Sequence, residues 1–409
     1  MARWMFFTVL ILCAGFLSAE PLRVIYMAQA GYDPRDVEQR GREFAEETGI
    51  EVAFQFEEYE DIYDLLTGDS GKSGAFDVVL LDNIWTADFA DRGILEPVPD
   101  NLRSQVEAGV IYPIYSANMY NGELWGVPFL ANFQLLYTNM DLLSQAGFDS
   151  PPRTLEEMRH MADTAKEKGV IEYPVFDSLR SEEVLVCELV WLSGAFGHTW
   201  DSSSDPLLID RAENRKALEY LIELKQAGLL NPYSLNAGEM FSAEVFTWGD
   251  ALFTTNWTFL IGRLEEASSN GSGAPVFNFR VSPLPYSRPI GSSSTVSGFQ
   301  GLAVMKNSTQ KTNAWRFISY LSSPDFQRRY LHEFPVWREV WSEPDTLRRD
   351  RYFDVKRIQV RGAKVRPVYP RYQEVSAIIR KWVFAALEEK LSVGEAFRSI
   401  QREIREIGL

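Results

Sequence analysis

Short apolar runs and amphipathic stretches of helical period take turns along the chain from Leu22 onward. Leu22–Met27 reads as a strand. Asp33-Pro34 then opens a helix, Asp as N-cap and Pro in the first turn, and Gly49 ends it. Ile50–Phe56 and Phe76–Leu81 read as further strands, the second a Phe-Asp-Val-Val-Leu-Leu run suited to a sheet covered on both faces. Such alternation implies an α/β sheet, whose ligands bind beyond the carboxyl ends of the strands. Asp82, Asn83 and Trp85 follow the third strand directly, where a ligand is expected.

Later segments are more helical. Thr154 and Glu157 make a capping box for a helix running to Gly169. Asp210 is placed as the cap of a helix with Ala217, Leu218, Leu221 and Ile222 on one face, ending at Gly228. Val375, Ile378, Ile379, Trp382, Val383 and Leu387 form one apolar stripe, and Ser392 with Glu395 caps the last helix. Linker-like composition is confined to Ser202–Ser204, Ser268–Gly273 and Gly291–Ser294.

The amino terminus constrains the compartment. Arg3 precedes an apolar run from Met5 to Leu17, followed by Ser18-Ala19-Glu20, the pattern of a secretory signal peptide spanning 1–19. The run is short of the about 20 apolar residues a bilayer span needs. Cys13 raises lipoprotein anchoring, but Leu12 before it disfavours that, so a free exported protein is expected. Removing the signal leaves Cys187 alone, which excludes an internal disulfide and reads as a buried structural thiol. The 409 residues carry 41 Lys+Arg against 57 Asp+Glu, net −16. Residues 311–409 are net +7, but their basic residues are interspersed with helix stripes, so a folded surface and no nucleic-acid partner is expected.

Signatures of catalysis are missing. His160, His198 and His332 are far apart and lack metal-ligand spacing, and no phosphate loop, HExxH or GxSxG occurs. No catalytic residue, metal or cofactor is assigned. Glu57-Glu58 and Glu182-Glu183 read as solvated faces rather than paired catalytic carboxylates. Aromatics are abundant, 26 Phe, 17 Tyr and 11 Trp, and sugar sites pair aromatic platforms with carboxylate, amide and arginine partners.

Four segments in order carry a family resemblance. Asn121-Gly-Glu-Leu-Trp-Gly-Val-Pro128, with Leu135-Leu-Tyr-Thr-Asn139 after it, is similar to the NGKxYGxP turn of the extracellular solute-binding proteins of ABC importers, the maltose/trehalose-type sugar-binding family. Phe246–Trp257 resembles that family's F-x-x-G-x-A-A-M stretch, and Ser297–Val304 with Ala314–Ile318 resembles G-G-W-x-x-A-I and A-W-x-F-I. Arg366-Pro-Val-Tyr-Pro370 resembles the late Arg-Pro segment.

The resemblance implies a two-lobed, type II, maltose-binding-like α/β fold with three hinge crossings, near Phe129–Asn132, Arg280–Leu284 and Leu321–Asp325. It puts 20–129 plus 284–321 in a first lobe and 132–280 plus 325–409 in a second. A mono- or oligosaccharide would lie between the lobes of a periplasmic monomer, which would close on it and dock on the permease subunits. The residues implied for the ligand are Asp82 as hydroxyl acceptor, Trp257 as stacking platform, Phe299 where the family usually has Trp, Asn132 where disaccharide binders often have Asp, and Arg366 as a donor. Trp85 is a further ligand candidate, and Trp191 either a candidate or core. The alternatives are a secreted carbohydrate-active hydrolase, or the same fold holding a non-sugar solute such as a polyol phosphate or polyamine.

Overall fold

The computed structural model describes residues 20–408, except 29–30, 69–73, 199, 201–207, 270–274, 276 and 332. The expected signal segment 1–19, Cys13, His332, Ser202–Ser204 and most of Ser268–Gly273 lie outside the described residues. Eleven strands are described: β1 (Leu22–Met27), β2 (Val52–Glu57), β3 (Val78–Asp82), β4 (Leu95–Glu96), β5 (Met119–Tyr120), β6 (Glu123–Leu124), β7 (Val127–Asn139), β8 (Phe253–Trp257), β9 (Phe279–Ser282), β10 (Thr295–Met305) and β11 (Ala363–Lys364).

Local sequence chemistry accounts for several boundaries. The helix Pro34–Thr48 starts at Asp33, whose carboxylate accepts from the Arg35 N–H, and stops at Gly49, which takes the left-handed φ of 73° that a Cβ would oppose. Ser392 and Glu395 form a reciprocal capping box for Val393–Glu406. Two caps differ from expectation. Thr154 accepts from the Glu157 N–H at 3.1 Å, but the Glu157 carboxylate accepts from the Arg153 N–H at 2.8 Å, one residue before the cap, so the box is not reciprocal. The helix over Ala212–Gln226 starts after Arg211, because the Asp210 carboxylate is taken by the Arg215 guanidinium at 2.7 and 2.9 Å instead of by backbone amides.

The principal sheet runs β2-β1-β3-β10-β7-β8. β1, β2 and β3 are parallel, and β3 is buried at every residue, as its unbroken apolar run requires. β7 and β10 are the long strands, antiparallel to each other and common to both halves of the molecule. β10 joins β3 through Gln300–Val304, while β7 pairs β10 through Phe133 and β8 from Gln134 onward. Their mutual register shifts between Gln300 and Gly301. The architecture is the two-lobed α/β fold, with the paired long strands as its backbone.

Packing departs from the expected boundaries at two places. Tyr286–Val296, expected in the first lobe, stay with the second: the Leu155 N–H donates to the Tyr286 carbonyl at 3.0 Å, the Ser287 N–H to the Ala195 carbonyl at 3.1 Å, and Val296 packs among second-lobe apolar residues. The passage back to the first lobe therefore lies inside β10, because that strand must pair β7 before it reaches β3. Residues 325–331 and 333–338, expected in the second lobe, hold to the first. Gln327 Nε2 donates to the Phe129 carbonyl at 3.0 Å, Arg329 pairs with Glu43 at 2.9 Å, and Trp337 bridges Val110. Phe326 fills a slot between Tyr32 and Phe129, and that apolar seat keeps the segment there.

Candidate ligand site

A cavity of about 340 Å³ opens where β3 ends, between the lobes. Three groups of elements line it. Met27 and Asp82 come from the carboxyl ends of β1 and β3, with Trp85 just beyond and Tyr59 and Tyr63 from the helix Tyr59–Thr67. Asn132 on β7 and Gly298 and Gln300 on β10 form the floor. Trp257 at the end of β8, Glu239 and Met240, and Glu182, Glu183 and Cys187 at the start of the helix Glu183–Ala195 complete the far wall.

The aromatic groups are positioned by packing. Tyr59 stacks on Trp85 at 5.1 Å between ring centres and 24°, and Trp85 on Phe89 at 6.0 Å and 28°. Across the floor, Trp257 lies over Gly298, where an added Cβ would fall 2.8 Å from the six-membered ring of the indole. Only glycine lets the ring lie that close to the strand. The Trp257 Nε1–H donates to Glu239 at 3.4 Å, so the indole is fixed at its edge as well.

The charged groups form one connected set. Arg366 is buried and donates to Glu183 at 2.9 Å, to Asp82 and Asn83 at 3.2 Å, and to the Ser297 carbonyl at 3.4 Å. Asp82 also accepts from the Tyr59 hydroxyl at 3.0 Å and the Ile84 N–H at 3.1 Å. Burial, and after it the Asp82 charge, pushes the Tyr59 phenol far above its ordinary range, which keeps it a donor. Glu183 accepts further from Tyr372 and Ser376, both at 2.6 Å. A guanidinium thus ties the end of β3 to the far wall.

Behind the far wall two carboxyls share a threonine. The Thr255 hydroxyl lies 3.0 Å from Asp177 and 3.1 Å from Glu188, and Glu188 also accepts from Gln134 at 2.7 Å and Trp191 at 2.5 Å. Burial raises both acids, Glu188 strongly and further through Asp177. A hydroxyl has one proton to give, so the second short contact requires a proton on one carboxyl. Asp177 already accepts from the Thr255 N–H at 2.8 Å, which favours its ionised form and leaves the proton on Glu188.

The structure brings Asp82, Trp85, Asn132, Trp257 and Arg366 to one cavity. It does not bring Phe299 there. With Gly298 and Gln300 facing the cavity, strand alternation turns Phe299 to the opposite face, where it is fully buried in the core. Trp191 is core as well, its indole spent on Glu188. Glu182 and Glu183, read as a solvated pair, line the cavity, because the helix they open points its amino end inward. Arg366 and Asp82 reach the site already paired with each other. Tyr59 and Tyr63, one helical turn apart, and Gln300, two residues from Gly298, were missed. Period four on the helix and period two on the strand carried that signal.

Among the described residues no helix is long and apolar enough to cross a membrane, and no group of three His, Cys, Asp or Glu is placed to hold a metal ion. Residues 39–337 match the model of a family described as bacterial extracellular solute-binding protein. A binding protein of Brucella abortus is 23% identical over 341 residues, covering 82% of this chain and 80% of its own. The fold is similar to that of maltose-bound MalE3 of T. maritima, at TM-score 0.83 and 24% identity, covering 95% of this chain and 99% of that one. It is similar also to an ABC transporter solute-binding protein of Thermotoga lettingae bound with α-D-tagatose, at TM-score 0.82 and 21% identity, covering 95% and 100%.

Proposed function

From its membership of the bacterial extracellular solute-binding proteins, to which the chain belongs, we propose that it binds a mono- or oligosaccharide between its lobes and delivers it to the permease of an ABC importer. The observation that carries the sugar reading is the Trp257 ring laid over Gly298 on one wall, with the Trp85–Tyr59 stack on another. Pyranose C–H faces suit such platforms, while Asn132, Gln300 and Asp82 supply amide and carboxylate partners for hydroxyls. The volume stands at the low end of small-molecule sites, about 300–1,000 Å³, which suits one or two sugar rings. The protein would hand over its ligand unchanged, from an extracytoplasmic position reached through the signal segment.

A second reading keeps the fold and changes the ligand class. The cavity lining holds Asp64, Asp82, Glu182, Glu183 and Glu239 against Arg366 and Arg380, an acidic excess that favours a cationic solute such as an amine or amino sugar.

A thermal-shift screen over neutral sugars, polyols, amino sugars and polyamines separates the two. A ligand at a hundred times its dissociation constant adds about 2.7 kcal/mol of stability. A neutral sugar that raises the melting temperature and is recovered chemically intact supports the first reading. Shifts confined to amines would replace it with the second, and release of shortened glycans would make the protein a hydrolase.

A further inference from the structure

Glu333 lies outside the cavity lining, fully buried, yet it touches the floor of the site through one intermediary. The Thr258 hydroxyl lies 2.7 Å from Asn132 Oδ1 and 2.8 Å from Glu333 Oε2. Both neighbours are acceptors, and the hydroxyl has one proton. The Thr258 N–H also donates to Asn132 Oδ1 at 3.3 Å, which identifies that atom as the amide oxygen. The contact to Glu333 therefore closes only when the carboxyl carries a proton and donates it to Thr258 Oγ1, freeing the hydroxyl to donate to Asn132. Glu333 Oε1 has no hydrogen-bond partner among the described residues, a state that a neutral carbonyl oxygen tolerates far better than a carboxylate.

We propose that Glu333 is a positioning residue that acts as a neutral acid through Thr258, holding the Asn132 amide oxygen away from the cavity so that its NH₂ group demands an acceptor atom from the ligand. Because Asn132 lines the cavity and its oxygen is held twice, the amino group is the half left for a solute. Burial raises the Glu333 carboxyl to about 7, against smaller lowering effects from Lys356 and from the Thr258 hydrogen bond. Among the described residues, the titratable groups around it are Tyr26 on β1, Tyr32 after it, Tyr137 on β7, and Lys356, which is paired with Asp350 at 3.1 Å. The three phenols are raised by burial first and by Glu333 second, so they stay protonated across the range where Glu333 ionises. Once it ionises, the Thr258 hydroxyl turns to the carboxylate, and Asn132 keeps only the backbone contact.

The role of the amide toward a ligand rests on the sugar reading; its orientation does not, and the test separates them. The side-chain amide NMR signal of Asn132, identified by its loss in Asn132→Asp, is followed in the full ligand-free chain from about pH 5.5 to about pH 8.5, a range that brackets the raised carboxyl. The wild type should show a titration that Glu333→Gln abolishes, since a glutamine NH₂ donates to Thr258 at every pH. Thr258→Val should fix the high-pH signal throughout. With the best sugar from the screen, wild-type affinity should fall about tenfold over the same range, the loss of roughly one hydrogen bond, while Glu333→Gln keeps the low-pH affinity. An Asn132 signal that does not titrate, or titrates equally in Glu333→Gln, overturns the proposal, as does sugar affinity with the same pH profile in both proteins. Titration of Asn132 without binding of any sugar would instead sink the sugar reading and leave the positioning of the amide standing.

Discussion

Trp257 and Phe299 are both buried aromatics on neighbouring parts of the sheet, and the structure gives them opposite work. Trp257 is 8% exposed, and what remains accessible faces the cavity; Phe299 is fully enclosed, turned away by the alternation of β10. Trp257→Ala should therefore cost about 1–3 kcal/mol of ligand affinity, from lost stacking and burial, with the cooperative unfolding transition retained. Phe299→Leu should lower stability by about 1 kcal/mol and leave affinity within a factor of two or so. Calorimetric titration and denaturant unfolding of both variants check this, and an affinity loss in Phe299→Leu alone would reverse the assignment. Asp82 is a poorer choice for such a test. Its carboxylate already serves Arg366, Tyr59 and Ile84, so its removal leaves a buried guanidinium short of a partner and confounds affinity with folding.

At the scale of the element, β10 places Gly298 and Gln300 in the cavity and Phe299 and Leu302 in the core. Gly298 is the position where backbone and cavity wall meet, because the Trp257 ring occupies the space a side chain would take. Gly298→Ala should displace the indole, lower affinity about tenfold or more and shift the Trp257 fluorescence, while the strand itself loses little. Unchanged binding and emission would mean that the ring does not rest on the strand. The helix Glu183–Ala195 works in a similar way. Its first turn meets Arg366, and one turn further Glu188 braces the strand that carries Trp257 through Thr255. None of this was legible in the sequence. Thr255 lies 78 and 67 positions from Asp177 and Glu188, and a buried acid has no local signature that separates it from a solvated one.

Across the whole molecule, buried acids make stability depend on pH in a defined direction. Glu333 is raised from 4.5 to about 7, and Glu188 and Asp177 are raised as well. A carboxyl that holds its proton more tightly folded than unfolded contributes fully below the unfolded value, and that contribution is lost as pH rises through the folded value. For Glu333 the loss is on the order of 3 kcal/mol between about pH 4.5 and pH 7, levelling off above. Denaturant midpoints at about pH 5 and about pH 8 should thus fall more steeply with pH in the wild type than in Glu333→Gln. Parallel declines in the two proteins would place the titration elsewhere. Arg366 acts at the same scale, joining Asp82 in one lobe to Glu183 in the other.

The sequence by itself determined the fold class and the order of its parts. The apolar run of β3, the Asp33–Gly49 helix and the Ser392 box are local patterns, set by residues a turn or a pleat apart. It also pointed to Asp82 and Trp85, which line the cavity, from the position of a parallel strand's carboxyl end. Only the tertiary structure decided which side of β10 Phe299 faces, where the chain passes between the lobes, and which partners Arg366, Glu183 and Glu333 take up. Those outcomes depend on strand register and on burial shared by residues tens to hundreds of positions apart. A charge or a hydroxyl shows its role only when the groups around it are known, for they decide whether its proton stays.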